Sequence, residues 1–158
     1  MKRLMVVIGT RPEVVKCAPV IKLIQNSSQF DLKVCVTAQH REMLDQMIDF
    51  FDIKVDYDLN CMQASQDLEI LSNLIMERFS KLLFEVRPDF VFVQGDTTTV
   101  FIAALASYYQ KIPVIHLEAG LRTHDFYSPF PEEMNRKIVS QLASFHLCPL
   151  KKNRQYLI

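Results

Sequence analysis

Short apolar runs at Leu4 to Ile8, Lys33 to Val36, Phe90 to Val93, Val114 to Leu117 and Phe145 to Leu147 are separated by longer stretches whose apolar residues recur at helical spacing. Compact apolar runs of this length suit strands buried on both faces, and their regular alternation with helices predicts a parallel sheet covered on both sides. A weaker run, Lys54 to Leu59, is a further strand candidate. The helices read from the pattern are Pro12 to Gln25, Arg41 to Phe51, Gln66 to Val86, Thr98 to Tyr109 and Glu132 to Ala143. The fold class that follows is α/β, a doubly wound parallel sheet.

Several boundaries have local causes. Thr10-Arg-Pro-Glu13 reads as a capping box with proline in the first turn, so Thr10 and Glu13 each satisfy an orphan donor where a helix begins. Arg87-Pro88 closes the longest helix, because the residue before proline avoids the helical region, and Pro113 stands just ahead of a strand. No repeat, low-complexity tract or Gly/Ser linker interrupts the chain, so residues 1–158 read as one domain.

Composition narrows the function classes. At 158 residues and 49% hydrophobic, the chain buries a real core, and 18 Lys plus Arg balance 18 Asp plus Glu. No global field favours nucleic acid or an anionic membrane, so anion binding has to come from local geometry, and a small ligand is the expected partner. The four cysteines (Cys17, Cys35, Cys61, Cys148) form no Cys-x-x-Cys motif and read as free thiols in a reducing compartment. The apolar run after Met1-Lys-Arg ends at Ile8, too soon for a signal peptide or a membrane span.

The chemistry concentrates where predicted strands end. Val91-Phe-Val-Gln-Gly-Asp-Thr-Thr-Thr99 presents Asp96 between a buried strand and a helix N-terminus, and Val114-Ile-His-Leu-Glu-Ala-Gly-Leu-Arg122 repeats the arrangement with Glu118. In an open parallel sheet both carboxylates reach the same rim, where free backbone N–H groups also hold anions. Gly9-Thr-Arg-Pro-Glu-Val-Val-Lys16 brings Arg11 and Lys16 to another such turn, two cations able to compensate a phosphate, without the pattern of a Walker loop or a dinucleotide fingerprint. Gln39 and His40 follow the second strand, where a histidine also serves as an ordinary helix cap. The long connection from Gly120 to Arg136 carries two prolines and several aromatics and ends in Glu132, Glu133 and Arg136. Long ordered loops are commonly functional, although acidic residues in a first turn are also ordinary dipole partners. Metal binding by Asp96, His116, Glu118 and Glu132 is a competing reading, but their spacing matches no recognised metal motif.

Together these segments resemble the non-hydrolysing UDP-N-acetylglucosamine 2-epimerases of bacteria. Gly9-Thr-Arg-Pro-Glu13 with Lys16, Thr37-Ala-Gln-His-Arg-Glu-Met-Leu-Asp-Gln46, Asp56-Tyr-Asp-Leu-Asn60, Gly95-Asp-Thr-Thr-Thr99, Glu118-Ala-Gly-Leu-Arg-Thr123 and Tyr127-Ser-Pro-Phe-Pro-Glu-Glu-Met-Asn-Arg136 look like that family's motifs, in its order. Gln94 stands where members often carry histidine. The resemblance implies the N-terminal Rossmann-like lobe of a glycosyltransferase-B-like fold over residues 1–158, with the C-terminal lobe absent. It implies interconversion of UDP-GlcNAc and UDP-ManNAc in the cytoplasm, for surface polysaccharide, without a cofactor or a metal. By resemblance Asp96, Glu118 and Glu132 are catalytic, Arg11, Lys16 and Arg136 bind substrate, and Gln39, His40 and Met43 mark a candidate regulatory UDP-GlcNAc site. A hydrolysing epimerase that releases ManNAc and UDP is one alternative, and a catalytically silent remnant acting as a binding module is another. The isolated chain is expected to be inactive.

Family members are commonly dimers, and two helices suit such a contact here. Met43, Leu44, Met47, Ile48, Phe50 and Phe51 on the first, and residues including Leu68, Ile70, Leu71, Ile75 and Phe79 on the second, occupy more than one helical face.

Overall fold

The computed structural model describes residues 1–38, 41–61 and 66–158. Six parallel strands alternate with helices: β1 (Lys2–Ile8), α1 (Arg11–Gln25), β2 (Phe30–Val36), α2 (Arg41–Phe50), β3 (Tyr57–Asp58), α3 (Leu68–Val86), β4 (Phe90–Gln94), α4 (Thr98–Tyr109), β5 (Val114–Leu117), α5 (Glu132–Leu142), β6 (Phe145–Leu147) and α6 (Lys151–Arg154). The sheet order is β3-β2-β1-β4-β5-β6, which makes the fold doubly wound. The winding reverses between β1 and β4, and the crevice at their carboxyl ends is where such sheets bind ligands.

Strand periodicity explains how one sheet supports two cores. Met5 and Val7 of β1 and Val91 and Val93 of β4 face the layer built by α3, α4 and α5, around Ile75, Phe79 and Ala103. The alternate residues Leu4, Val6, Ile8 and Phe92 face α1 and α2, around Val14, Ile21, Leu44 and Ile48. Both faces of β1 and β4 are therefore dry, and their continuous apolar runs follow from that. Among the described residues no helix is long and apolar enough to cross a membrane.

The differences from the sequence reading are local. The run from Lys54 to Leu59 yields a strand of only two residues. Its flank is irregular because the Asp56 carboxylate takes the Val34 amide at 2.9 Å, a side chain occupying a ladder position. The long helix begins two residues later than expected, at Leu68, where Asp67 caps it by accepting the Ile70 amide. A short helix, α6, follows Pro149 and has no counterpart in the hydropathy pattern.

The two helices considered for a subunit contact turn most of their apolar residues inward. α2 and α3 pack on opposite faces of the sheet, and Leu44, Ile48, Leu71, Ile75 and Phe79 are buried in their own cores. Only residues such as Met43, Phe50, Leu68, Ile70 and Phe84 remain exposed on these helices. The apolar residues on several faces of α3 reflect burial against both the sheet and α4.

Candidate active site

Three loops at the carboxyl ends of β1, β4 and β5 build the rim. Gly9 ends β1 without a side chain for a steric reason: a Cβ there would lie 2.3 Å from Thr99 Oγ1 and 2.7 Å from Thr37 Oγ1. Those two hydroxyls are hydrogen-bonded to each other at 2.9 Å, tying the β2 end to α4 directly beneath the turn. The Glu13 arm of the predicted capping box closes as expected. Its Oε2 accepts the amides of Gly9 at 2.5 Å and Thr10 at 3.1 Å.

Glu13 does more than cap. It is 2% exposed, and its second oxygen accepts the Thr97 hydroxyl at 2.6 Å. Thr97 in turn caps α4 by accepting the Val100 amide. One buried carboxylate therefore joins the β1–α1 and β4–α4 turns across the switch point. Burial lifts its pKa from 4.5 to about 7, against the pull of the Thr97, Gly9 and Thr10 donors.

Glu118 adopts a left-handed backbone conformation at φ 69°. Such a conformation costs about 1–2 kcal/mol in a non-glycine residue. The amides of Glu118 and Ala119 both donate to the Leu147 carbonyl, which holds the turn against β6. The resulting carboxylate receives the Lys16 ammonium at 2.5 Å and a close contact from Gln94 Nε2. Lys16, Gln94, Glu118 and Cys148 lie around a cavity of about 350 Å³.

Asp96 receives Arg136 Nη2 at 2.5 Å, and its backbone carbonyl accepts the Asn135 side chain at 2.9 Å. Burial raises the Asp96 pKa; the Arg136 guanidinium opposes this, and the charges of Glu132 and Glu118 reinforce it. Asp96 follows β4, Glu118 follows β5 and Glu132 opens α5, so all three lie toward the same end of the sheet. Glu132 borders a second cavity of about 430 Å³, with Thr10, Arg11, Met43, Thr97 and Thr98 on its walls. Arg11 and Met43 therefore share a cavity with Glu132, while Lys16 is paired with Glu118 and Arg136 with Asp96. Gln39 and His40 lie outside the described residues.

Glu133 has a structural task that first-turn dipole reasoning missed. Its side chain is fully buried, accepts the amides of Thr123 and His124 at 3.0 and 3.3 Å, and faces Arg136 at 3.3 Å and Lys137 at 3.6 Å. Burial opposes its ionisation, yet those amides and cations outweigh it and hold the pKa below 4.5. The long loop is thus anchored to the start of α5, and Arg136 is shared between Glu133 and Asp96. Gln94 and Thr97 were likewise unassigned by sequence. Adjacency to Asp96 was the available signal for Thr97, and its partner on α1 was not legible.

His116, considered as a metal ligand, is instead buried with Nε2 2.7 Å from the Gly95 carbonyl, and burial lowers its pKa to about 4. Among the described residues no group of three or more His, Cys, Asp or Glu is arranged to hold a metal ion. Burial also pushes the thiols of Cys17 and Cys35 well up and that of Cys61 to about 11, leaving them neutral.

Known proteins resemble this chain in sequence and fold. A sequence profile described as UDP-N-acetylglucosamine 2-epimerase matches residues 22–158. The chain is 50% identical over 156 residues to the UDP-N-acetylglucosamine 2-epimerase of Escherichia coli K12 and 49% identical over 156 residues to that of Neisseria meningitidis serogroup A, covering 99% of this chain in each case. It spans 42% of the length of both relatives. A crystal structure of the UDP-GlcNAc 2-epimerase from Neisseria meningitidis bound to UDP-GlcNAc superposes with a TM-score of 0.92 at 51% identity, covering 99% of this chain and 43% of that one.

Proposed function

The chain belongs to the UDP-N-acetylglucosamine 2-epimerase family, and from that premise we propose that it forms the N-terminal, carboxylate-bearing lobe of an enzyme interconverting UDP-GlcNAc and UDP-ManNAc in the cytoplasm, for polysaccharide synthesis. The observation that carries this reading is the gathering of Asp96, Glu118 and Glu132 at one rim, two of them paired with the cations Arg136 and Lys16 at 2.5 Å.

Epimerisation at C2 of this sugar has a specific difficulty. The C2 hydrogen is not activated by an adjacent carbonyl, so charge separation at the anomeric bond has to drive the step. UDP departs while C2 gives its proton to a carboxylate, leaving a 2-acetamidoglucal; UDP then returns as a proton is delivered to the other face. Proton removal and return on opposite faces call for more than one acid/base group. Asp96, whose proton affinity is raised by burial, suits the holding and return of a proton. Cations and helix N-termini would stabilise the departing diphosphate, the larger part of the barrier reduction. Arg11, at the start of α1 and on the wall of the larger cavity, is placed for this. Lys16 and Arg136 neutralise Glu118 and Asp96 and become available to the diphosphate when a carboxylate takes a proton.

Amide chemical shifts of the 158-residue protein titrated with UDP-GlcNAc test the reading. Shifts are expected at Gly9 to Arg11, Gly95 to Thr98, Glu118 and Glu132 to Arg136. Shifts confined to the opposite end of the sheet, around Tyr109 and Ile112, would overturn it.

A further inference from the structure

We propose that Glu13 is a proton-coupled positioning residue: when it takes a proton, its new O–H donates to Thr97 and frees the Thr97 hydroxyl to turn into the 430 Å³ cavity and donate to a bound anion.

With Glu13 ionised, its oxygens accept three hydrogens, from the Gly9 amide, the Thr10 amide and the Thr97 hydroxyl. The single Thr97 hydroxyl hydrogen is thus spent on Glu13, while Thr97 Oγ1 accepts the Val100 amide. Thr97 is on the cavity wall and yet has no hydrogen left to offer there. Protonation reverses this one bond. The proton comes from solvent and stays on Glu13, the two amides keep their acceptor, and Thr97 Oγ1 accepts from Glu13 in place of donating to it. The released hydrogen then points at a ligand. Thr10 lines the same wall, and its backbone amide is already spent on Glu13. Arg11 adds a positive charge, and the first turns of α1 and α4 add N–H donors, which makes the ligand class a phosphoryl or other tetrahedral anion.

The elements around Glu13 carry several charged or titratable groups: Arg11, Lys16 and Cys17 on α1, Asp96 beside Thr97, and Glu132 across the cavity. The Cys17 thiol is held neutral by burial. Glu13 itself has its ionisation displaced to about 7, so the exchange falls in the physiological range.

The inference rests on the reading of this rim as a diphosphate site, and the probe is chosen to separate the two. Sulfate is a tetrahedral dianion that does not titrate between pH 6 and 9, and its binding to the 158-residue protein is read from the Thr97 and Thr98 amides at constant ionic strength. Because only the protonated fraction is competent, sulfate should bind about tenfold more weakly at pH 8 than at pH 6. Glu13→Gln, which mimics the protonated form by donating from its amide, should bind equally at both pH values. Thr97→Val should also lose the pH dependence and bind weakly throughout, and it serves if the glutamine variant fails to fold. Equal sulfate affinity at both pH values in the unsubstituted protein, or a pH dependence that survives in either variant, would overturn the switch. So would a lack of sulfate binding at these amides. None of these results touches the nucleotide-sugar reading, which stands or falls on the UDP-GlcNAc titration.

Discussion

Replacing Glu13 by glutamine should remove a large part of the pH dependence of folding stability, with a sign that distinguishes it from ordinary surface carboxylates. The folded protein holds this carboxyl at about 7, while the unfolded chain holds it near 4.5. Between those values the folded state keeps a proton that the unfolded state has lost, so unfolding releases a proton and stability falls as pH rises. The contribution is fully present below pH 4.5 and gone above pH 7. A displacement of this size corresponds to about 3 kcal/mol. Glutamine cannot ionise, and its carbonyl and amide still meet the Gly9 and Thr10 amides and Thr97 Oγ1. Urea unfolding followed by circular dichroism at pH 5, 6, 7 and 8, for both proteins, isolates the effect, since every other titrating group is shared. The stability of the variant relative to the parent should increase by about 2.5 kcal/mol from pH 5 to pH 8. Parallel stability curves would show that Glu13 ionises as it does in water and would refute the reasoning.

Glu133 should behave in the opposite sense. Its pKa is held below 4.5, so its stabilisation is present above that value and lost as pH falls below it. Glu133→Ala, which strands the Thr123 and His124 amides and removes one of the two carboxylates that Arg136 meets, should cost about 3 kcal/mol at pH 7 by urea unfolding, and a neutral result would contradict the anchoring role. Gly120→Ala should lower thermal stability by about 3 kcal/mol, because φ is 85° and the new Cβ would lie 2.2 Å from the Asn153 carbonyl oxygen, a backbone atom that cannot swing aside. With zero formal net charge and exposed Phe50 and Ile70, the protein should self-associate in sedimentation at rising concentration. Phe50→Glu or Ile70→Glu should weaken that association with the fold retained, whereas Phe79→Glu should unfold the protein; a monomer at every concentration would dismiss the contact.

What the sequence made legible was whatever local pattern determines. β5, α4 and β6 match their predicted bounds; β1 and β4 lie within two residues of theirs, and for these two the reason is that strands dry on both faces need unbroken apolar runs. Asp96 and Glu118 were visible as carboxylates at strand ends. β3 was overestimated because Asp56 competes with the ladder, and α6 was missed because four residues carry no periodicity. Pairings across the sheet were out of reach. Thr97 meets Glu13 from 84 residues away and Lys16 meets Glu118 across 102, and both distances are set by the strand order rather than by spacing. The sequence identifies Glu13 as a cap, which it is, but its burial and its second partner depend on β1 and β4 being neighbours.

Isotope incorporation tests the central claim most directly. This lobe, joined to the remaining part of the Escherichia coli relative, is incubated with UDP-GlcNAc in deuterium oxide, alongside Asp96→Asn, Glu118→Gln and Glu132→Gln versions. If the three carboxylates act as proposed, the unsubstituted protein forms UDP-ManNAc carrying deuterium at C2, and each variant loses about a hundredfold or more in rate. UDP-ManNAc formed without deuterium at C2, or turnover undiminished in the variants, would contradict it.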